Sequence, residues 1–443
     1  MARLGGIHLG GTKNISPNQT FNSGVGFFLA SNSEISKLYS LNCRSNESFP
    51  LVTEIEKTFS FFDETPPLSI ENNETFSLDD GMWEVEVKKD HKSIVARCPH
   101  SLSPGQILKY GFEACQKALD LISVIHKKNM ILKDPGTSHI LLFKEKNKYI
   151  LREVSMVDLA ISFEVSVTKM DKNGNIVPEP VQPEPEWLPA FRYYRLSQST
   201  NDLYEAYRNL YLGFESLLNE IHTKSKEGEG KWLKDALYSI NKKINLSEYV
   251  PSERMENPVD FIFKNQYIST RCPLFHAKDK VILPHALLNP EQVSTEYRRL
   301  IEIWHAIVSR YFNVSPSGGL VTDQGFKALM GGMFDNGFTF QVTDDPTPLS
   351  PDDSVVSPLN HPVISLNDIE FKKDHALCQV MLAGNLEGTG LKKIELIHRI
   401  GLLKEGLITE EFIDDGLFLE GVDRMEINQT IRLINKNKPK TEF

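Results

Sequence analysis

Asp202-Leu203-Tyr204-Glu205-Ala206-Tyr207-Arg208-Asn209-Leu210, continued by Tyr211, Phe214, Leu217 and Leu218, decides how this 443-residue chain is read. Its apolar residues recur at three- and four-residue steps, the period of one helix face. The spacing predicts a helix over residues 197 to 221. Downstream, the same period predicts shorter helices over 231 to 244 and 258 to 268, and a longer one over 291 to 311. Together they predict a helical bundle spanning residues 187–316.

Upstream, Val177-Pro178-Glu179-Pro180-Val181-Gln182-Pro183-Glu184-Pro185 interrupts the pattern. Proline fixes φ and removes a backbone donor, so this run excludes helix and predicts an extended linker over 178–186. Residues 1–177 carry mixed signals. The first 75 or so, rich in Asn, Ser and Gly, read as strand and loop. Alternation at Trp83-Glu84-Val85-Glu86-Val87 and Ser93-Ile94-Val95-Ala96 predicts strands. Ser103-Pro104-Gly105 opens a helix that runs to about His126. Ile140-Leu141-Leu142-Phe143 and Tyr149-Ile150-Leu151 predict a hairpin, and a further strand over 157 to 167 should stop at Asp171-Lys172-Asn173-Gly174.

Beyond Pro316-Ser317-Gly318-Gly319, residues 317–443 read as strand-rich, with alternation at Lys393 to Ile397 and Thr430 to Ile434 and a polar tail. Asp344 to Pro348, Ser350 to Asp353 and the Gly-rich stretch around Asp335 read as loops. The expected architecture is therefore a multidomain α+β chain of three domains: mixed α+β, helical bundle, strand-rich. Its length is too great for one core.

Composition is that of an ordinary soluble protein, 40% hydrophobic and 24% charged. A formal charge of −10 argues against coating duplex nucleic acid, so any nucleic-acid contact must be local. No apolar run is long enough for a signal peptide or a membrane span, which makes a cytoplasmic protein the expectation. Five cysteines at 43, 98, 115, 272 and 378 lack CxxC spacing, so neither a disulfide framework nor a zinc site is expected.

Thr270-Arg271-Cys272-Pro273-Leu274-Phe275-His276-Ala277-Lys278 carries the chemistry. Arginine supplies a permanent forked cation that matches phosphate oxygens. Histidine takes and returns a proton near neutral pH. Together they suit metal-independent RNA cleavage: one neutralises charge gathering on phosphorus while the other moves a proton. Thr270 as N-cap would put Pro273 in a first helical turn, where its missing N–H is harmless.

This motif, with Arg192-Tyr193-Tyr194-Arg195-Leu196-Ser197-Gln198 and the helix of residues 202–218, resembles the HEPN superfamily (higher-eukaryote and prokaryote nucleotide-binding domains). The likeness covers roughly residues 187 to 312. It is to the large HEPN-type proteins related to the methylamine-utilisation J family and to abortive-infection HEPN proteins. The resemblance implies an Arg-x4-His ribonuclease centre formed by Arg271 and His276 and pooled from two copies at a dimer seam. On one helix, positions five apart diverge by roughly 140°, which facing motifs would overcome. Cys272 stands where many active members carry a small polar residue. The resemblance further implies a regulated effector in anti-phage defence, with RNA as substrate, a homodimer or higher oligomer, and a regulatory protein or nucleotide as trigger. No cofactor, metal or membrane partner is implied.

Gln198, Asp202 and Glu205 are candidates for orienting Arg271 or His276, the two acids equally for complementing the helix dipole. Lys278 and Lys280 are candidates for RNA backbone, or a solvated loop. Residues 271 to 310 hold six Lys/Arg against four Asp/Glu, a small local excess. Tyr204, Tyr207, Tyr211 and Phe214 suit base stacking or simply a core. Arg271 and His276 themselves admit a structural reading as an ion-pairing or capping couple. The alternative functions are a catalytically silent scaffold that binds nucleotide, RNA or protein, and a purely structural accessory protein.

Overall fold

The computed structural model describes residues 2–16, 19–30, 35–43, 53–61, 74–78, 82–88, 91–126, 130–132, 136–161, 172–173, 186–251, 257–276, 290–314, 337–350, 353–366, 369–372, 379–435, 439–441 and 443. It is a mixed α+β protein built from two compact units. One joins Met1–Ser162 to Val321–Asn435, and the other joins Phe163–Leu320 to Lys436–Phe443. Three domains in chain order were expected, but both flanking segments enter one unit. The physical reason is strand pairing. Lys148–Ile161 and Arg424–Asn435 run parallel, in register from Ile150 opposite Arg424 to Ile161 opposite Asn435. A sequence read in order cannot reveal a partner this distant.

Two large sheets face each other in this unit. A six-stranded one contains Thr339–Thr343, Leu396–Leu403 and Leu407–Phe418, and a twelve-stranded one contains the parallel pair. Gly384 shows how close they come. A Cβ there would lie 2.8 Å from Phe340 and 3.2 Å from Leu366, both on the opposing sheet, so a larger side chain would push the layers apart. Helix α1 (Pro104–His126) starts as expected: Ser103 Oγ and its backbone N–H both donate to Gln106 Oε1. It packs against strands Ser23–Ala30, Trp83–Val87 and Ser93–Cys98. The hairpin of His139–Glu145 with Lys148–Ile161 closes through Lys146 and Asn147, at φ 47° and 66°, a two-residue turn whose twist matches the strands. The strand expected over 157 to 167 is instead the second half of Lys148–Ile161.

The second unit is helical. It contains α2 (Pro189–Ser199), α3 (Leu203–Ile221), α4 (Glu229–Ile240), α5 (Pro258–Ile262), a π-helical segment (Phe263–Arg271), α6 (Cys272–Phe275) and α7 (Pro290–Phe312). Its core gathers Tyr207, Tyr211, Phe214, Trp232, Ile262, Tyr297 and neighbours. Tyr204, Tyr207, Tyr211 and Phe214 are buried there, which places their rings in packing rather than on a surface for stacking bases. The single helix expected over 197 to 221 breaks at Thr200-Asn201-Asp202, because Asp202 accepts a bond from Glu205 N–H at 2.7 Å and caps α3. The tail also departs from expectation. Lys440 N–H donates to Gln198 at 2.7 Å, and Phe443 meets Tyr297 edge-on with ring centres 5.3 Å apart, so residues after 435 join the helical unit. Among the described residues, no helix is long and apolar enough to cross a membrane. The 178–185 run, Lys278, Lys280, Asp335 and Asp171 lie outside the described residues.

Candidate functional site around Arg271 and His276

The helix carrying the motif starts at Pro258, capped by Asn257, whose side chain accepts from Val259 N–H at 2.9 Å. Thr270 is therefore not an N-cap; it is fully buried inside the π-helical segment. The widened turns have a visible cause. The Tyr207 hydroxyl lies 2.9 Å from both the main-chain and the side-chain oxygen of Gln266, while Gln266 Nε2 donates to Glu296 at 2.8 Å. A side chain bonded to a helix carbonyl competes with the i+4 amide, and a π turn results. The Cys272 N–H accordingly reaches five residues back, to Tyr267 O.

Pro273 then sits in a continuing helix without an N–H. The carbonyl four residues earlier, on Ser269, accepts instead from Gln292 Nε2 on α7 at 3.2 Å. The helix ends two residues later, and His276 leaves it in extended conformation, at φ −119° and ψ 112°. This exit overturns the expectation that Arg271 and His276 diverge within one chain. Arg271 Nη1 lies 3.3 Å from His276 Nε2. His276 is exposed, whereas the Arg271 side chain is only 11% exposed. Arginine can only donate, so in a hydrogen bond between them Nε2 is the acceptor.

Two carboxylates absent from the sequence-based candidates complete the site. Glu229, at the start of α4, accepts from Arg271 Nη2 at 2.6 Å, and Glu215 on α3 has an oxygen 3.7 Å from the same nitrogen. Burial, a hydrogen bond with Glu229 and that neighbour's charge push the Glu215 carboxyl up to about 7, against the opposing pull of Arg271. Rings surround the guanidinium: Phe275, Tyr267 and Tyr211 have centres 4.9, 5.5 and 5.9 Å from its carbon. Among the described residues, four buried polar atoms here, Arg271 Nε, Glu215 Oε1, Tyr211 Oη and Thr270 Oγ1, have no hydrogen-bond partner. The site thus combines a fixed cation, an exposed imidazole, a carboxyl that titrates near neutrality and unspent hydrogen-bonding capacity.

The structure does not bring all the expected supporting residues here. Gln198 bonds Tyr297 Oη at 2.9 Å and the tail residue Lys440. Asp202 caps α3. Glu205 pairs with Arg208 at 2.6 Å, and Arg208 in turn donates to the Leu274 carbonyl at 3.0 Å, so Glu205 braces the motif's backbone at one remove. Cys272 is half-buried and unbridged. Glu215 was discoverable in principle: it follows Tyr207 and Tyr211 at four-residue steps, so an acid borders the buried stripe and requires a partner. Glu229 lies near no motif, and only the packing of α4 reveals it.

No family model, curated protein or solved structure matches the chain.

Proposed function

We propose that the helical unit is an RNA endonuclease of HEPN type that works without metal, as a regulated effector in anti-phage defence. The observation that carries this reading is the 3.3 Å approach of Arg271 Nη1 to the exposed His276 Nε2. It sets a proton acceptor beside a fixed cation, the two functions that cleavage of a ribose-phosphate link requires. In the reading, His276 takes the proton of the 2′-hydroxyl while Arg271 neutralises charge building on the phosphate oxygens. The active form is a dimer or larger, with residues 271–276 at or near a two-fold seam, and a protein or nucleotide acts as trigger. The defence setting and the assembly rest on the resemblance alone.

A second reading has its own observation. Glu229 already holds Arg271 Nη2 at 2.6 Å, an ion pair that would serve a catalytically silent scaffold equally well. Incubating labelled RNA with wild type, Arg271→Ala and His276→Ala separates the two. The nuclease reading expects losses of about 10²–10⁴-fold in both variants, with fold retained. Absence of cleavage by wild type under every triggering condition supports the scaffold.

A further inference from the structure

Cleavage by attack of the 2′-oxygen needs two proton transfers, one from the nucleophile and one to the departing 5′-oxygen. The motif's histidine, His276, can serve only one of them. We propose that Glu215 is the second catalytic group, the general acid that protonates the leaving 5′-oxygen; this rests on the ribonuclease reading above.

The geometry points to it through one shared residue. Arg271 presents Nη1 to His276 at 3.3 Å and Nη2 toward Glu215 at 3.7 Å. Glu229 also accepts from Nη2 at 2.6 Å, so a phosphate held by the guanidinium would share or displace that contact, with the imidazole at one end and the Glu215 carboxyl at the other. Glu215 Oε1 is buried and, among the described residues, has no hydrogen-bond partner, so a substrate oxygen entering beside Arg271 would meet unsatisfied bonding capacity on a side chain that is 19% exposed. The groups facing Glu215 are Glu229 on α4, Arg271 on the π-helical segment, Lys224 in the connection before α4, and Tyr211 on its own helix. Tyr207 and Tyr267 also feel its charge. Burial and Glu229 keep a proton on this carboxyl up to about pH 7.

The step balances. His276 Nε2 takes the 2′-hydroxyl proton as the 2′-oxygen bonds phosphorus, and the phosphorus–5′-oxygen bond breaks with its electron pair on the 5′-oxygen. That oxygen takes the Glu215 proton. The products are a 2′,3′-cyclic phosphate and a 5′-hydroxyl, leaving His276 protonated and Glu215 ionised, and water exchanges the two protons back.

The test uses the full chain, with Glu215→Gln as the variant because it keeps size and a hydrogen bond. Cleavage of RNA should fall about 10²–10⁴-fold, and the decline of wild-type rate above about pH 7 should vanish. On uridine 3′-(p-nitrophenyl phosphate), whose leaving group departs without a proton, Glu215→Gln should match wild type within about threefold, while His276→Ala stays slow. A far-ultraviolet circular-dichroism melt establishes that the variant is folded. Equal losses on both substrates, or an unchanged high-pH limb, would overturn the role for Glu215 while leaving the ribonuclease reading intact. Wild type inactive on both substrates would overturn both.

Discussion

The Tyr207 hydroxyl sits 2.9 Å from the main-chain carbonyl oxygen of Gln266, and that contact sets the course of the helix that presents Arg271. Both residues are at most 1% exposed, so water cannot replace the bond. Tyr207→Phe removes one hydroxyl and leaves two oxygens of Gln266 short of a donor. The expected cost is about 1–3 kcal/mol in urea unfolding, with cleavage reduced because Arg271 is re-aimed. A loss below about 0.5 kcal/mol would show that the π-helical segment holds itself.

Arg271→Lys tests what the guanidinium does. An ammonium cannot bond His276, Glu215 and Glu229 in separate directions, so activity should recover little relative to Arg271→Ala. Near-wild-type cleavage by the lysine variant would reduce the role of Arg271 to bare charge.

Glu229 helps hold the proton on Glu215, and Glu229→Gln removes one of its negative neighbours. The Glu215 carboxyl should then titrate at lower pH, and the falling limb of the pH–rate profile should move acidward. A limb that stays in place separates the two carboxyls functionally.

The sheet unit makes an independent prediction. Glu153 is 1% exposed on the long parallel strand, and burial, then the adjacent Glu411, raises its carboxyl well above the usual range. A raised folded-state value means that the folded protein holds the proton more tightly. Stability is therefore fully present below the ordinary value of 4.5 and is lost as pH climbs through the raised one. Wild type should lose melting temperature relative to Glu153→Gln as pH rises from mildly acid to alkaline. Parallel curves for the two proteins would contradict the buried-acid account.

What the sequence disclosed follows from range. Helices α3, α4 and α7 and the hairpin of residues 140–143 with 149–151 were legible because their apolar periods and turns are local, whereas the continuation of its second strand to Ile161 reads in sequence as a separate strand. The break at Asp202 was hidden within a continuous apolar stripe, although Asp is a favoured cap. The pairing of Lys148–Ile161 with Arg424–Asn435 was illegible, since parallel strands leave no local turn signal. At the site, Arg271 and His276 stood out through their chemistry. Their contact did not, because it depends on a π turn imposed by Tyr207 and on the exit of His276 from the helix. Glu205, a candidate for orienting Arg271 or His276 or for complementing the helix dipole, pairs with Arg208, which bonds the Leu274 carbonyl.

Assembly is measured by sedimentation at micromolar concentration. The proposed shared seam expects at least a dimer of the 50.3 kDa chain, and a strictly monomeric protein that still cleaves RNA would remove the seam from the account.

The most direct measurement is the end chemistry of RNA incubated with the purified protein in excess EDTA. Proton transfer and charge neutralisation both come from side chains in this account, so chelation should leave the rate unchanged. Fragments should carry 2′,3′-cyclic phosphate and 5′-hydroxyl ends, and His276→Ala should suppress them about 10²–10⁴-fold. Cleavage abolished by EDTA, or undiminished in His276→Ala, would contradict it.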